Sequence, residues 1–326
     1  MSKLLNFKNN DRNDFVSICA PMVRYSKLPF RMLVRELGCD LAYTPMIIAD
    51  SFLKSEKARY SEFSSCSSDR PLIVQFASRN PNELLEASKL VYESADGVDL
   101  NCGCPQKWAI QEKIGCSLMK EPELISEMIK TVKLGMPDVI NEIHSNGFSV
   151  SAKIRICEGI NGTAETVELL RRLDRMGVDW VTVHARTAVE RSEPARWKQL
   201  GEIVSAANVS CGLVVNGDIM SLQDANEAFQ VTQCQGVMSA RGILANPALF
   251  STESSRISSF DCARMFIDLG IQYGCQISQL HQHLYWMLEG DLNRSDRTLL
   301  HSMSSSAGLI NIVNSFESNS QGQMIT

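Results

Sequence analysis

No stretch of this 326-residue chain approaches the ~18 consecutive apolar residues of a membrane-spanning helix. Residues 1–15 are polar and charged and hold no apolar core of a secretory leader. A disulfide framework is lacking as well. The eleven cysteines are odd in number and scattered through apparent strands and helices, which predicts reduced thiols and a cytoplasmic location, with the nucleus as a secondary one. Charge of one sign is not in large excess: the net charge is −5 and the pI is about 5.7. That excludes a whole-molecule pull toward nucleic acid, so any RNA site must be a local basic patch. The dinucleotide fingerprint G-x-G-x-x-G after a first strand is also absent.

What is present is alternation. Apolar runs at residues 16–21, 41–46, 72–77, 97–103, 149–157, 180–187, 213–218 and 236–242 read as strands. Helical patterns lie between them at 29–37, 81–93, 121–134, 163–176, 197–206 and 221–229. Ser221 is an expected N-cap with Asp224 three residues on, and Gly177 an expected helix stop. Alternating units of this kind predict a parallel (β/α)8 TIM barrel over 16–250, with an open doubly wound sheet as the alternative. Past Phe250 no strand signal remains, and a small C-terminal helical domain is expected over 251–315. Residues 1–15 form a polar N-terminal segment. Ser, Asn and Gln accumulate near the end, so 316–326 is expected to be disordered.

Strands of a parallel barrel are covered on both faces and should be apolar throughout. Here polar residues interrupt them with one parity. Ser151, Lys153 and Arg155 share a face, as do Thr182, His184 and Arg186, and Asp99, Asn101 and Gly103; Gln75 sits late in another apolar strand. A buried polar group without partners costs several kcal/mol, so such residues converge either on one another or on a polar ligand. The run Asp99-Leu100-Asn101-Cys102-Gly103-Cys104-Pro105 ends a strand in a tight loop with a thiol at its tip. Asn216-Gly217-Asp218 and Ala240-Arg241-Gly242 follow the seventh and eighth strands, where barrels commonly bind phosphate. FMN suits that layout, with its phosphate under those two strands and its ring over the mouth beside Lys153. Cys102, Cys104 and Cys116 match no common zinc spacing, so no metal is expected.

Ala20-Pro21-Met22-Val23-Arg24-Tyr25-Ser26, Tyr43-Thr44-Pro45-Met46, Val74-Gln75-Phe76, the run from Asp99 to Gln106, Lys153-Ile154-Arg155, His184-Ala185-Arg186-Thr187, Asn216-Gly217-Asp218-Ile219 and Ala240-Arg241-Gly242 occur in this order. Over about residues 19–250 the chain resembles the tRNA-dihydrouridine synthases, in particular the eukaryotic type acting on D-loop uridines 20a and 20b. The resemblance implies an FMN-dependent flavoprotein oxidoreductase in which NADPH or NADH reduces the flavin and the flavin reduces a uridine of a tRNA substrate. Carried over by position, Cys104 is the catalytic proton donor. Pro21, Met22, Val23, Gln75, Lys153 and His184 line the flavin. Asn216, Gly217, Asp218, Ala240 and Arg241 hold its ribityl phosphate. Asn101, Arg155 and Arg186 face the uracil and its flipped nucleotide. The family often has Gly where Ala240 stands, and the C-terminal segment carries four basic against seven acidic residues.

A uracil that accepts hydride from flavin N5 at C6 becomes an enolate that needs a proton at C5. A cysteine of ordinary pKa, about 8.5, stays protonated at neutral pH and suits that role. Lys107, Arg186 and Arg191 are candidate phosphate contacts to RNA. No membrane and no obligate protein partner is expected. Three rival readings remain at this point: an FMN-dependent TIM-barrel reductase of a free pyrimidine, a Schiff-base aldolase using Lys153, and a tRNA-binding protein with a relic site.

Overall fold

Apolar strands separated by amphipathic helices bury both faces of every strand either in an open doubly wound sheet or by closing the sheet on itself. The computed structural model, which describes residues 14–137, 144 and 147–323, has the closed arrangement. Its parallel strands are β1 (Val16–Cys19), β2 (Leu41–Tyr43), β3 (Ile47–Ile48), β4 (Leu72–Ala77), β5 (Gly97–Asn101), β6 (Ser149–Arg155), β7 (Trp180–His184), β8 (Gly212–Asn216) and β9 (Gly236–Ser239). β1 pairs with both β2 and β9, and β2 pairs with β4, so the ring closes. β2 and β3 are two pieces of one barrel position, both paired with β4. They are interrupted at Thr44-Pro45-Met46, where Pro45 has no N–H to donate. The ring therefore has the eight positions that the alternation predicts.

Local chemistry sets the surrounding helices. Asn80 caps Pro81–Val91 by accepting from the N–H groups of Asn82 and Glu83. Ser221 caps Leu222–Thr232 by accepting from Asp224, as expected. Gly177, at φ +77°, stands just past the end of Gly162–Arg175, in the left-handed conformation that glycine adopts without strain.

Each of the predicted strands but the third ends two or three residues later in the sequence reading than in the structure. Pro21, Gly103 and Gly217 sit in loops rather than in the ladder. The polar motif residues thus lie at strand ends or in the turns that follow. Among all strand residues, only Ile48, Lys153 and His184 are not fully buried. Two of these three are predicted site residues.

Beyond the barrel run the helices Ser259–Gln272, Ile277–Met287, Arg294–Ser302 and Ser306–Gln323. His283 is buried among the rings of Tyr25, Phe30 and Phe266, with centroid distances of 5.2, 4.8 and 4.3 Å, and so joins this segment to the barrel. The expectation of disorder over 316–326 needs correction. The last helix runs to Gln323 because Leu309, Val313 and Phe316, spaced along one face, are buried and Arg264 pairs with Glu317 at 2.6 Å. Asn311, Asn314 and Ser315 fall between those positions. Residues 1–13 and 324–326 lie outside the described residues. No helix among the described residues is long and apolar enough to cross a membrane.

Candidate active site

Parallel register brings the predicted residues to one rim. Asn101 stands opposite Lys153 in the β5–β6 pairing, Arg155 opposite His184 in β6–β7, and His184 opposite Asn216 in β7–β8. Residues directly opposite on neighbouring strands project to the same side, so Asn101 and Lys153 share a side, as do Arg155, His184 and Asn216.

The loop bearing Cys104 is held on three sides. Asn101 Oδ1 accepts from the N–H groups of Gly103 (3.2 Å) and Cys104 (3.0 Å). Arg155 Nε donates to Gly103 O at 2.8 Å, and its other arm donates to Thr187 O at 2.8 Å, tying the loops after β5 and β7 together. Cys116 N donates to Cys104 O at 3.0 Å. The preceding Gly115 has φ +63°, and a Cβ there would lie 2.6 Å from Cys104 O. Cys104 itself is half-buried against Met46, Ala77, Ala109 and Ile114. Cys102 is fully buried in the core.

Lys153 sits beside this loop. Burial, followed by the charge of Arg155, pushes its ammonium down to about 8, with Asp99 opposing the shift. Among the described residues no hydrogen bond reaches its Nζ. Gln75 gives one amide N–H to Asp99 and accepts from Asn101, which leaves its second N–H uncommitted.

His184 is neutral. Burial first, then the charges of Lys153, Arg155, Arg186 and Arg241, push it down to about 2. Arg186 lies 3.1 Å from His184 Nε2. A guanidinium can only donate, so Nε2 accepts and the ring proton is assigned to Nδ1. Arg186 has all three nitrogens engaged: with His184, with Glu193 O at 2.5 Å, and with both oxygens of Asp218. Its side chain is almost wholly buried. Sequence reasoning turned it toward the nucleotide; its geometry makes it the brace of His184 and Asp218.

A small pocket opens where β8 and β9 end, lined by His184, Asn216, Gly217, Asp218, Ala240 and Arg241 among others. Gly217 has φ +118°, and a Cβ would come within 2.9 Å of His184 Cδ2 and 3.1 Å of Ala195 Cβ. Asn216 Nδ2 donates to Met238 O at 2.9 Å, joining β8 to β9. Asp218 accepts from Ala195 N at 2.8 Å and from Arg241 at 3.2 Å. Its carboxylate cannot itself hold an anion; it steadies Arg241, which stays exposed. Ala240 has φ −118°, outside the left-handed region, so alanine replaces glycine there without strain.

After β1, Met22 N donates to Ser26 Oγ at 2.9 Å, Met22 is buried, and Val23 is exposed at the surface beside it with Pro21 half-buried. Lys107, which opens the short helix Lys107–Gln111, and Arg191, in the loop after β7, are exposed. Two contributors were not singled out from the sequence as site residues, Asp99 and Ser151. Asp99 shares parity with Asn101, which is the signal that could have found it. The group as a whole offers a thiol, an ammonium without a hydrogen bond among the described residues, a neutral imidazole and a guanidinium at a closed turn.

The family model for dihydrouridine synthase (Dus) matches residues 18–315. A Homo sapiens protein named tRNA-dihydrouridine(20a/20b) synthase NAD(P)+-like is 43% identical over 295 residues, covering 90% of this chain and 89% of that protein. The tRNA-dihydrouridine(20a/20b) synthase of Schizosaccharomyces pombe is 39% identical over 283 residues, 86% of this chain and 82% of its own length. That of Saccharomyces cerevisiae is 39% identical over 307 residues, 92% and 79% respectively. Among solved structures, the old yellow enzyme from Trypanosoma cruzi superposes with a TM-score of 0.52 at 10% identity, over 74% of this chain and 88% of that one, a likeness of fold. A thiol loop and a polar rim on an eight-position barrel, matched along nearly the whole length, place the chain in the dihydrouridine synthase family.

Proposed function

We propose that this chain reduces D-loop uridines of tRNA to 5,6-dihydrouridine, with FMN bound at the barrel mouth and NAD(P)H as the source of electrons. The observation that carries this reading is the convergence of Cys104, Asn101, Lys153 and His184 on one rim, next to a pocket closed by Gly217 and Arg241. The residues present fit the cofactor. Arg241 and the tight turn at Gly217 suit a phosphate, the uncommitted N–H of Gln75 and the Nδ1–H of His184 suit the acceptor edges of a flat ring, and the Lys153 ammonium has no hydrogen-bond partner among the described residues. Pro21, Met22 and Val23 would close over that ring. Bound FMN would supply hydride to C6 of the uracil.

The chain's own part is the proton and its placement. Cys104 Sγ–H hands a proton to C5 as the enolate forms, and solvent then reprotonates the sulfur. Asn101 and Arg155 hold the loop that carries the thiol. Lys153 supplies positive charge where negative charge develops on the ring system. Met46, Ala77, Ala109 and Ile114 give Cys104 an apolar flank. The target base leaves its stack to enter the mouth, which is cheapest in an irregular loop such as the D-loop. Lys107 and Arg191 would meet the phosphates around it. The helical segment 251–315 would support the tRNA mainly by shape, since Arg264 is already bound to Asp261 and Glu317. The free cysteines favour work in a reducing compartment, the cytoplasm or nucleus.

The test is direct. The purified protein should be yellow and, with NADPH, should form dihydrouridine in D-loop tRNA but not in free uracil. Cys104→Ala should retain its flavin and form product slower by roughly tenfold or more. A colourless protein, or undiminished turnover by Cys104→Ala, overturns the reading; turnover of the free base supports the alternative of a free-pyrimidine reductase.

A further inference from the structure

The loop that carries the thiol is connected to the barrel interior by a chain of buried hydrogen bonds. Ser151 Oγ donates to Asp99 Oδ1 at 2.7 Å. Gln75 Nε2 donates to Asp99 Oδ2 at 2.8 Å. Asn101 Nδ2 donates to Gln75 Oε1 at 2.8 Å. Asn101 Oδ1 accepts from the backbone of Gly103 and Cys104. All four side chains are buried, and Asp99 and Ser151 have no exposure at all.

The direction of this chain is forced from both ends. Backbone N–H groups only donate, so Asn101 must turn its oxygen toward Cys104 and its nitrogen toward Gln75. Gln75 must then turn its oxygen to Asn101 and its nitrogen inward. The innermost position must therefore be an acceptor, and a carboxylate there accepts from Gln75 and Ser151 together. A residue without an acceptor at that place leaves Gln75 free to flip its amide. The flip would set oxygen inward and nitrogen against the Asn101 nitrogen, and Asn101 would lose its hold on Cys104.

The price of a buried carboxylate is evident in Asp99: burial pushes it up to about 6, with Ser151, Gln75 and Lys153 opposing. Tyr43 on β2, Cys102 just past β5 and Lys153 on β6 are the other titratable groups around it. An apolar residue would be the cheaper choice for a barrel core if packing were the only demand.

We propose that Asp99 is a positioning residue whose acceptor oxygen sets the polarity of the Ser151–Asp99–Gln75–Asn101 relay and thereby holds the Cys104 thiol in its proton-donating position. The inference rests on the reading of Cys104 as the acid. It assigns Asp99 no contact with substrate or cofactor.

The experiment compares holoenzymes carrying Asp99→Leu and Asp99→Asn with the unaltered protein. Three readouts are used: flavin bleaching by NADPH alone, reoxidation of the reduced enzyme by tRNA, and peptide-resolved alkylation of Cys104 by iodoacetamide without tRNA. Asp99→Leu should slow reoxidation by tRNA at least roughly tenfold more than it slows bleaching, and change the alkylation rate of Cys104. Asp99→Asn keeps an acceptor oxygen for Gln75 and should restore reoxidation to within about threefold. If Asp99→Leu does not fold, Asp99→Ala takes its place with the same expectation. A folded Leu or Ala variant that reoxidises at the unaltered rate overturns the inference, as does an Asn variant as slow as the Leu one. Failure of the unaltered protein to bind flavin or to react with tRNA would instead defeat the function proposed above.

Discussion

At the scale of single residues, the site works by fixing which atoms hold protons. Arg186 makes His184 a donor at Nδ1, because a guanidinium leaves the ring no alternative but to accept at Nε2. Lysine in its place would be a point charge, unable to bind His184, Glu193 O and Asp218 together. Arg186→Lys should therefore weaken FMN binding by roughly tenfold while leaving tRNA affinity nearly unchanged. Fluorescence titration of the apoprotein with FMN measures it, and an unchanged FMN affinity would contradict the tautomer argument. Sequence parity located His184 and Arg186 on one face. It could not reveal that Arg186 bonds both His184 and Asp218, since that depends on Asp218 arriving from the next turn.

At the scale of elements, the thiol loop is placed by pieces distant in sequence. The short turn of helix Gly115–Lys120 presses its first residues against Cys104 O, and only glycine fits at its start. Gly115→Ala combines a left-handed φ with a backbone clash, so it should cost about 1–3 kcal/mol of stability. The same displacement should slow dihydrouridine formation by roughly tenfold while the flavin is retained. Thermal unfolding and single-turnover rates check both halves; a fast variant would mean that the loop holds its place without this contact. The strand-end motifs show the same dependence. Pro45, Pro105 and Gly217 mark where pairing stops, which is legible from the residues. The loops they open lie beside one another only because the strands are in register at the rim.

At the scale of the whole molecule, His283 joins the C-terminal helices to the barrel. Burial pushes it down to about 3, whereas in the unfolded chain it takes a proton near its ordinary 6.5. The folded state thus binds fewer protons over that range. Stability is full above about pH 6.5 and falls with pH toward about 3, by up to about 1.4 kcal/mol per unit for this one group. His283→Phe preserves a ring among Tyr25, Phe30 and Phe266 and removes the proton. Urea unfolding between about pH 6.5 and pH 4 should show a shallower pH slope for the variant, by about one proton; an equal slope would place the titration elsewhere.

Alternation of apolar runs and helical patterns predicted parallel strands buried on both faces, because such burial leaves its mark on every strand; closure into a barrel was decided by the pairing of β1 with both β2 and β9. The motif at Cys104, the parity of Lys153 and His184, and the Gly217 turn were legible for the same reason: polar or special residues stand out where apolar ones are required. The last helix was not legible, because its buried stripe of Leu309, Val313 and Phe316 is sparse and its ion pair to Arg264 joins positions far apart in sequence. The direction of the relay through Asp99 and the commitment of Arg186 were decided by tertiary structure alone. Hydrogen-bond polarity is a property of which donors and acceptors meet in space, and no pattern within a single strand carries that information.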